Sequence, residues 1–555
     1  MRAFIITLAA VAAGAAAMAD TQRSHDAAVA RNLNTFNTIV KELELNYVDS
    51  ISTDAGFEAA IAAMLSTVDP YTEYYTADDQ DVLMRITTGE WGGIGSFIME
   101  RDGSTYISAP MEGSPSAEAG MLPGDRILKV DTTDTHGLKS DEVSKLLRGQ
   151  AGTIVEVTVE RPFDPDSIKT FRLERRKMQE PSVAYYGVVG GNTGYIKLNS
   201  FIDKSPREVR EALESFKANP AVENIVLDLR GNGGGLLESA VDIVGYFVPK
   251  GTEVLRTRGR DKSLEKIYKT TRTPIYPDIP LAVLIDGGSA SSSEITAGAL
   301  QDLDRAVLVG SRSFGKGLVQ ATRPLPYDGI LKVTVGKYYI PSGRLIQALD
   351  YSHRNPDGSV ARTPDSLTNV YKTLHGREVR DGGGLTPDST VEWEKASVLL
   401  YDLMRGNRIF DYATRFKADH RELAPAEEFT VTDEIYADFK NSVTGSDFKS
   451  EQVFDDMIKQ LRTAVKDEGY LDTATEAQLD TLSKLLRHDL ATDLDLKRGE
   501  ITQYLGREIA GRYYYDRGRI IQDLRDDKGL EAARAILNNP GEYKAILSGN
   551  RKKEQ

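Results

Sequence analysis

Two segments of this 555-residue chain, Ile225-Val-Leu-Asp-Leu229 and Leu281-Ala-Val-Leu-Ile285, are too short for helices and too uniformly apolar for strands with one wet face. Runs of this kind are strands covered on both sides, the situation of a strand inside a parallel sheet flanked by helices. Each is followed at once by a glycine-bearing turn and a helical segment, and between about Val183 and Trp393 strands alternate with helices. The expected fold for that stretch is an α/β core. A single hydrophobic core cannot serve a chain of this length, so further domains are required.

The remaining sequence divides by texture. From about Thr87 to Arg176, short β-rich runs (Trp91–Phe97, Ser104–Ser108, Asp125–Val130, Thr153–Val159) are punctuated by glycine and separated by two helical stretches, Ser114–Ala119 and Ser140–Leu147. That pattern suits a small, partly open β-barrel. Upstream, Leu33, Phe36, Val40, Leu43 and Tyr47 recur at helical spacing, and a second helical stretch around Phe57–Leu65 ends at Asp69-Pro70, where proline disfavours helix in the residue before it. The apolar face of the first helix needs something to pack on. After about Val398 the chain turns charged and helical, with Phe454, Met457, Ile458, Leu461 and Val465 on one face. The expected divisions are 1–19, 20–86, 87–180, 181–397 and 398–555.

Residues 1–19 read as a secretory signal, with Arg2 before an apolar stretch from Phe4 to Gly14 and Ala17-Met18-Ala19 as the cleavage site. The expectation is an exported, periplasmic protein, anchored in the membrane only if the signal stays uncleaved. Acidic residues outnumber basic ones by 83 to 69, which argues against a nucleic-acid partner. The absence of cysteine excludes disulfides, thiolate metal sites and a cysteine nucleophile. Six scattered histidines (His25, His136, His353, His375, His420, His488) show no H-E-x-x-H pairing, so neither metal nor cofactor is expected.

The chemistry concentrates at two strand-to-turn points of the α/β core. In Asp228-Leu-Arg-Gly-Asn-Gly-Gly-Gly-Leu236, four glycines in five residues free the backbone to aim its N–H groups at a ligand. In Asp286-Gly-Gly-Ser-Ala-Ser-Ser-Ser-Glu-Ile295, a serine run opens a helix whose N-terminus favours a developing anion. Serines 289, 291, 292 and 293 are equally plain N-cap residues, so this run alone does not define a site. A third segment, Gly310-Ser-Arg-Ser-Phe-Gly-Lys-Gly-Leu-Val-Gln320, sets a lysine among glycines. It is not a phosphate-binding loop, because Gly317 stands where that loop needs Ser or Thr, and a strand (Gly329–Val335) follows it instead of a helix.

Taken in order, Gly288-Ser-Ala-Ser-Ser-Ser-Glu-Ile295 and Phe314-Gly-Lys-Gly-Leu-Val-Gln320 resemble the two signature motifs of the carboxy-terminal processing, or tail-specific, protease family. Asp228–Gly235, Tyr339-Ile-Pro-Ser-Gly-Arg344, Gly383–Asp388 and Met64–Pro70 match further family motifs, and the resemblance spans roughly residues 35–395. It implies a crotonase- and ClpP-like α/β peptidase core with an inserted PDZ domain at 87–180, N-terminal helices and a C-terminal helical domain. It further implies Ser291 as nucleophile, Lys316 as general base and Gln320 orienting the lysine. The oxyanion donors would be the N–H groups of Gly235 (or Gly234) and Ser292. The loop Gly93, Ile94 and Gly95 would hold the terminal carboxylate of a protein or peptide with an apolar C-terminus. Self-association or an adaptor is expected to use the helical N- and C-terminal regions. Ser292 stands for the family's usual alanine and Tyr71 for its usual histidine. The competing readings are an inactive PDZ-bearing adaptor and an acyl-CoA enzyme of the crotonase class.

Overall fold

A computed structural model describes residues 25–79, 88–261, 265–392, 395–450, 453–486 and 489–550. The secretory segment 1–19 and His488 lie outside the described residues. The chain forms two compact units, one made of the N-terminal stretch through Thr76 with Gln320–Thr334, the other of Ala77–Val319 and Val335 onward.

The smaller unit opens with a helix over residues 25–46 and a second, Thr53–Ser66, capped by the Ser52 hydroxyl. The turn expected at Asp69-Pro70 forms because the Asp69 carboxylate accepts the N–H groups of Tyr71 and Thr72, both at 2.8 Å. The strand Glu73–Tyr75 then pairs antiparallel with residues 330–332. Phe36 meets Phe57 edge to face at 5.8 Å, but Leu33, Ile39, Leu43 and Tyr47 stay exposed. Among the described residues, most of the apolar face for which the sequence demands a partner, Leu33, Leu43 and Tyr47, stays open.

In the larger unit the central sheet consists of β1 (Val183–Val189), β2 (Thr193–Leu198), β3 (Asn224–Asp228), β4 (Leu281–Ile285), β5 (Val307–Gly310) and β6 (Ser389–Thr390), in that spatial order. Only β1 runs antiparallel to its neighbour. Side chains alternate between two cores, as the pleat requires. Ile225, Leu227, Leu281, Val283 and Ile285 pack on one face beneath α1 (Ser205–Lys217), α2 (Leu237–Val244) and α3 (Ser292–Asp302). Val226, Ala282, Leu284, Val307 and Val309 pack on the other against Leu530, Ala533, Ile536 and Leu537 of α4 (Lys528–Leu537) and Tyr543 and Ile546 of α5 (Pro540–Leu547). The second helical layer of the core therefore comes from the last thirty or so residues of the helical tail, and Tyr543 Oη even accepts the Leu281 N–H at 3.0 Å.

The β-rich domain leaves and rejoins the core through two antiparallel strands, Glu90–Gly93 and Arg176–Gln179. Its five-stranded path begins at the edge strand Ser96–Arg101, followed by Ser104–Pro110, Arg126–Val130, Ile154–Glu160 and Ile168–Glu174, around a core of Ile107, Ile127, Val143, Val155 and Leu173. Both expected helices are present, as Pro115–Glu118 and Ser140–Leu147. Arg101 forms a two-pronged ion pair with Asp411 of the helical region, at 2.7 and 3.0 Å.

Because α4 closes the sheet, Leu530→Ala should cost about 2–5 kcal/mol of stability. Leu461→Ala, at a position 46% exposed, should stay within about 0.5 kcal/mol. Thermal denaturation of both variants checks the contrast, and equal melting temperatures would mean that the tail helices are not part of the core.

Candidate active site

β3 and β4 are adjacent and parallel, so the turns at their C-terminal ends meet. Asp286 joins them, its Oδ1 accepting from Gly288 N–H and from Gly231 N–H, each at 2.9 Å. The serine run then stitches one turn to the other. Ser289 Oγ donates to Leu229 O (2.8 Å), Ser292 Oγ to Gly235 O (2.9 Å) and Ser293 Oγ to Asn232 O (2.7 Å). Three of the four hydroxyls are thus structural, including the Ser292 hydroxyl that departs from the family pattern. Ser291 differs in conformation: at the N-cap of α3 it holds φ 56° and ψ −114°, a region that costs a non-glycine residue on the order of 1–3 kcal/mol. Gly234 lies against it so closely that a Cβ would come within 2.8 Å of Ser291 Cβ and 2.7 Å of Ala290 O. The glycine run is a requirement of that approach.

One carboxylate organises what surrounds Ser291. Glu294, fully buried in the first turn of α3, accepts the N–H groups of Ser291 and Lys316 on the same oxygen, Oε2, both at 2.9 Å. Its Oε1 takes Gly315 N–H (2.8 Å) and Ser313 Oγ–H (2.5 Å). Burial pushes its pKa up to about 7 against the opposing pull of these four donors. On the carbonyl side, Tyr338 Oη lies 2.7 Å from Lys316 O and 3.3 Å from Ser291 O. Burial, reinforced by the Glu294 charge, raises the Tyr338 phenol well above its ordinary value, so it remains a donor. Glu294 and Tyr338 thereby tie the backbone of Ser291 to the backbone of Lys316 on both their N–H and C=O sides. Neither residue stood among the sequence-derived site residues. Glu294 lies inside the serine motif, three places after Ser291, and that capping-box spacing was the available signal.

The glycines beside Lys316 also answer to packing. A Cβ at Gly315 would sit 2.4 Å from Ala348 Cβ, and one at Gly317 2.9 Å from Gln347 N. The Lys316 side chain is half-buried. Gln320 belongs to the smaller unit, where its Nε2 donates to Thr334 Oγ1 at 3.1 Å. Gly234 N–H is engaged by Asn232 Oδ1 (2.9 Å). The N–H groups of Gly235 and Ser292 have no acceptor among the described residues, the second being an orphan donor of the first helical turn.

The glycine turn is anchored from behind by ions. Arg230 Nε and Nη2 donate to Asp228 (3.0 and 2.6 Å), while Nη1 and Nη2 donate to Asp527 (2.8 and 2.5 Å), the residue that also caps α4. Burial works against the Asp228 carboxylate, but Lys197 and Arg230 outweigh it and hold its pKa far below the usual carboxylate range. Motif residues further along are also structural. Arg344, 1% exposed, donates to Asp302 and Gln301 at the end of α3, and Ser313, which holds Glu294, receives Leu385 N–H at 2.7 Å.

A protein-family model for peptidase family S41 matches residues 192–354. A carboxy-terminal-processing protease of Bartonella bacilliformis is 34% identical over 354 residues, which cover 63% of this chain and 80% of that protein. The chain belongs to peptidase family S41. This S41 peptidase is a serine protease, and its relatives carry that description: a probable CtpA-like serine protease of Staphylococcus aureus is 31% identical over 441 residues, 78% of this chain and 85% of that one. The solved structure of a photosystem II D1 C-terminal processing protease aligns at 28% identity with a TM-score of 0.35, over 64% of this chain and 86% of its own. A PDZ-domain model matches residues 106–161, and a model of the C-terminal helical domain of probable PDZ-proteases matches 399–537. The S41 match replaces the acyl-CoA reading.

In the PDZ domain of this S41 peptidase, Gly93, Ile94 and Gly95 lead from the stem into the edge strand. The carbonyls of Ile94 and Gly95 point inward, to Ser116 N–H (3.0 Å) and Met111 N–H (2.9 Å), and the N–H groups of these two residues have no acceptor among the described residues. Gly95, at φ 72°, could not carry a side chain, since its Cβ would fall 2.4 Å from Ser114 Cβ. Among the described residues no cluster of three or more acidic or histidine side chains could hold a metal.

If Tyr338 aligns the two backbones, Tyr338→Phe should lower kcat about tenfold with KM little changed, while stability falls by only about 1–1.5 kcal/mol. Steady-state kinetics and thermal melts separate the two effects; unchanged kcat would show that the bridging hydroxyl is dispensable. Glu294 titrates near 7 when folded and near 4.5 when unfolded, so its share of the stability is present below about pH 4.5 and is lost as pH rises towards about 7. In Glu294→Gln that loss should be absent, as melting temperature against pH would record.

Proposed function

We propose that this peptidase is an exported, periplasmic endopeptidase that cleaves proteins near their C-termini through a Ser291–Lys316 dyad, with the substrate tail held by its PDZ domain. The observation that carries this reading is the shared clamp: Ser291 and Lys316, far apart in sequence, have their N–H groups on one oxygen of Glu294 and their carbonyls beside one tyrosine hydroxyl. A residue pair fixed in this way fits a nucleophile and its base. The strained φ of Ser291 supports the same assignment, because functional residues are where such strain is retained.

In the proposed cycle, the neutral amine of Lys316 takes the Ser291 hydroxyl proton as Oγ attacks the scissile carbonyl. The oxyanion is received by the N–H groups of Gly235 and Ser292, two residues held to each other by the Ser292 Oγ to Gly235 O bond. Lys316 returns its proton to the leaving amine, and water, deprotonated by the same lysine, then releases the acyl-enzyme. A free lysine titrates near 10.4, so the proposed base needs surroundings that disfavour its ammonium form to act at neutral pH. Gln320 is assigned the role of orienting Lys316 on the family motif alone.

The terminal carboxylate of the substrate is assigned to the N–H groups at Gly93, Ile94 and Gly95, and its chain to the open edge of Ser96–Arg101. The exposed apolar face of the N-terminal helix is assigned to self-association or an adaptor. Leu33→Asp with Phe36→Asp should then reduce the mass seen by light scattering, and an unchanged mass would remove that assignment.

The deciding measurement is cleavage of casein by residues 20–555, beside Ser291→Ala and Lys316→Ala, across pH. Both variants should fall by at least about a thousandfold, and parent activity should rise with pH through a value below 10.4. Amidating the C-terminus of a peptide substrate should slow its cleavage, whereas equal rates for acid and amide would discard the PDZ assignment. Cleavage by Ser291→Ala at the parent's rate would overturn the nucleophile.

A further inference from the structure

The PDZ groove is unlike at its two ends. It runs between the edge strand Ser96–Arg101 and the helix Ser140–Leu147 and encloses about 240 Å³. At the glycine-loop end its walls are Ile94, Met111 and Leu147, with Arg148 beside them. These suit an apolar last residue and its carboxylate. The opposite end is acidic. Asp141 lines it from the first turn of the helix, and the Glu100 carboxylate reaches over from the strand to the Ser140 N–H at 3.4 Å. Lys139 precedes the helix here, and Glu142, whose carboxylate accepts the Lys139 backbone N–H at 2.8 Å, adds a further negative charge next to it.

A tail added to the edge strand advances about 3.4 Å per residue. Asp141 precedes Leu147 by six helical residues, or roughly 9 Å, and Glu100 follows Ser96 by four strand residues, or roughly 13 Å. The two carboxylates therefore stand level with tail positions about two to four places before the last residue. Resting on the PDZ assignment above, we propose that this groove selects polypeptide tails that carry Lys or Arg at those positions and end in a free, apolar residue. Asp141 and Glu100 are the specificity-determining residues. Acidic tails are disfavoured there by like charge, so the protease discriminates among C-termini by more than their last side chain.

The test uses the full mature chain with Ser291→Ala, to prevent cleavage, and fluorescent ten-residue peptides ending in Ala-Val. Lys, Ala or Glu occupies the third and fourth positions from the end, and each peptide is made as acid and as amide. Among the acids, Lys should bind about 2- to 5-fold tighter than Ala for each ion pair formed, and Glu more weakly than Ala. The preference should shrink with salt and disappear in Asp141→Asn with Glu100→Gln, both conservative changes at the surface. Acids that bind better than amides but do not distinguish Lys, Ala and Glu would overturn the charge selection and leave the PDZ assignment standing. Equal binding of acids and amides would overturn the PDZ assignment and this inference with it. A lysine preference undiminished in the double variant would overturn the role of these two residues.

Discussion

The fixed point of the structure around Ser291 is a buried carboxylate held by backbone N–H groups and one hydroxyl. Glu294 is completely enclosed, and its four donors are three backbone N–H groups and the Ser313 hydroxyl. Removing a carboxylate from water is costly unless its oxygens are satisfied, and here the first turn of α3 and the Ser313–Lys316 segment satisfy them with groups fixed by the backbone. The arrangement works only if both segments approach together. The Phe314 N–H on Ser289 O (3.0 Å) joins these two segments, the glycines at 315 and 317 let the second pack closely, and Gly234 with the hydroxyls of Ser289, Ser292 and Ser293 fixes the first against the glycine turn.

The same region illustrates how strain is retained. Ser291 adopts a positive φ that a free chain would avoid, and every neighbouring group is committed to keeping it there: its N–H on Glu294, its carbonyl beside Tyr338, Ala290 N–H on Asn232 O and Gly234 packed against its Cβ. A position over-determined by so many bonds can hold an unfavourable backbone conformation. The Arg230 ion pairs extend this frame outward to Asp527, so the glycine turn is braced from the far side of the sheet by the cap of α4.

That brace changes the meaning of the helical tail. A cluster of Leu400, Ile409, Tyr412, Phe439 and Leu505 gives part of the tail its own core, whereas α4 and α5 belong to the sheet. Residues beyond Lys528 thus supply the layer without which β3, β4 and β5 would expose an apolar face, and Arg101 and Asp411 link the PDZ domain to the same helical region.

Much of this was legible in one dimension. The apolar runs and glycine turns marked the α/β core and the β-rich domain with its helices, because strand burial, turn conformation and helix capping are local demands that leave local marks. Even Glu294 was marked, by its capping-box distance from Ser291. What distance along the chain concealed was decided in three dimensions: that Ser289, Ser292 and Ser293 bind a turn some sixty residues away, that Tyr338 bridges two backbones, and that α4 and α5 complete the core. The apolar faces of α4 and α5 announce that they need a partner but not which one. Hydrophobic burial is non-directional, and only the closed sheet, with Asp527 meeting Arg230 at its edge, selects it.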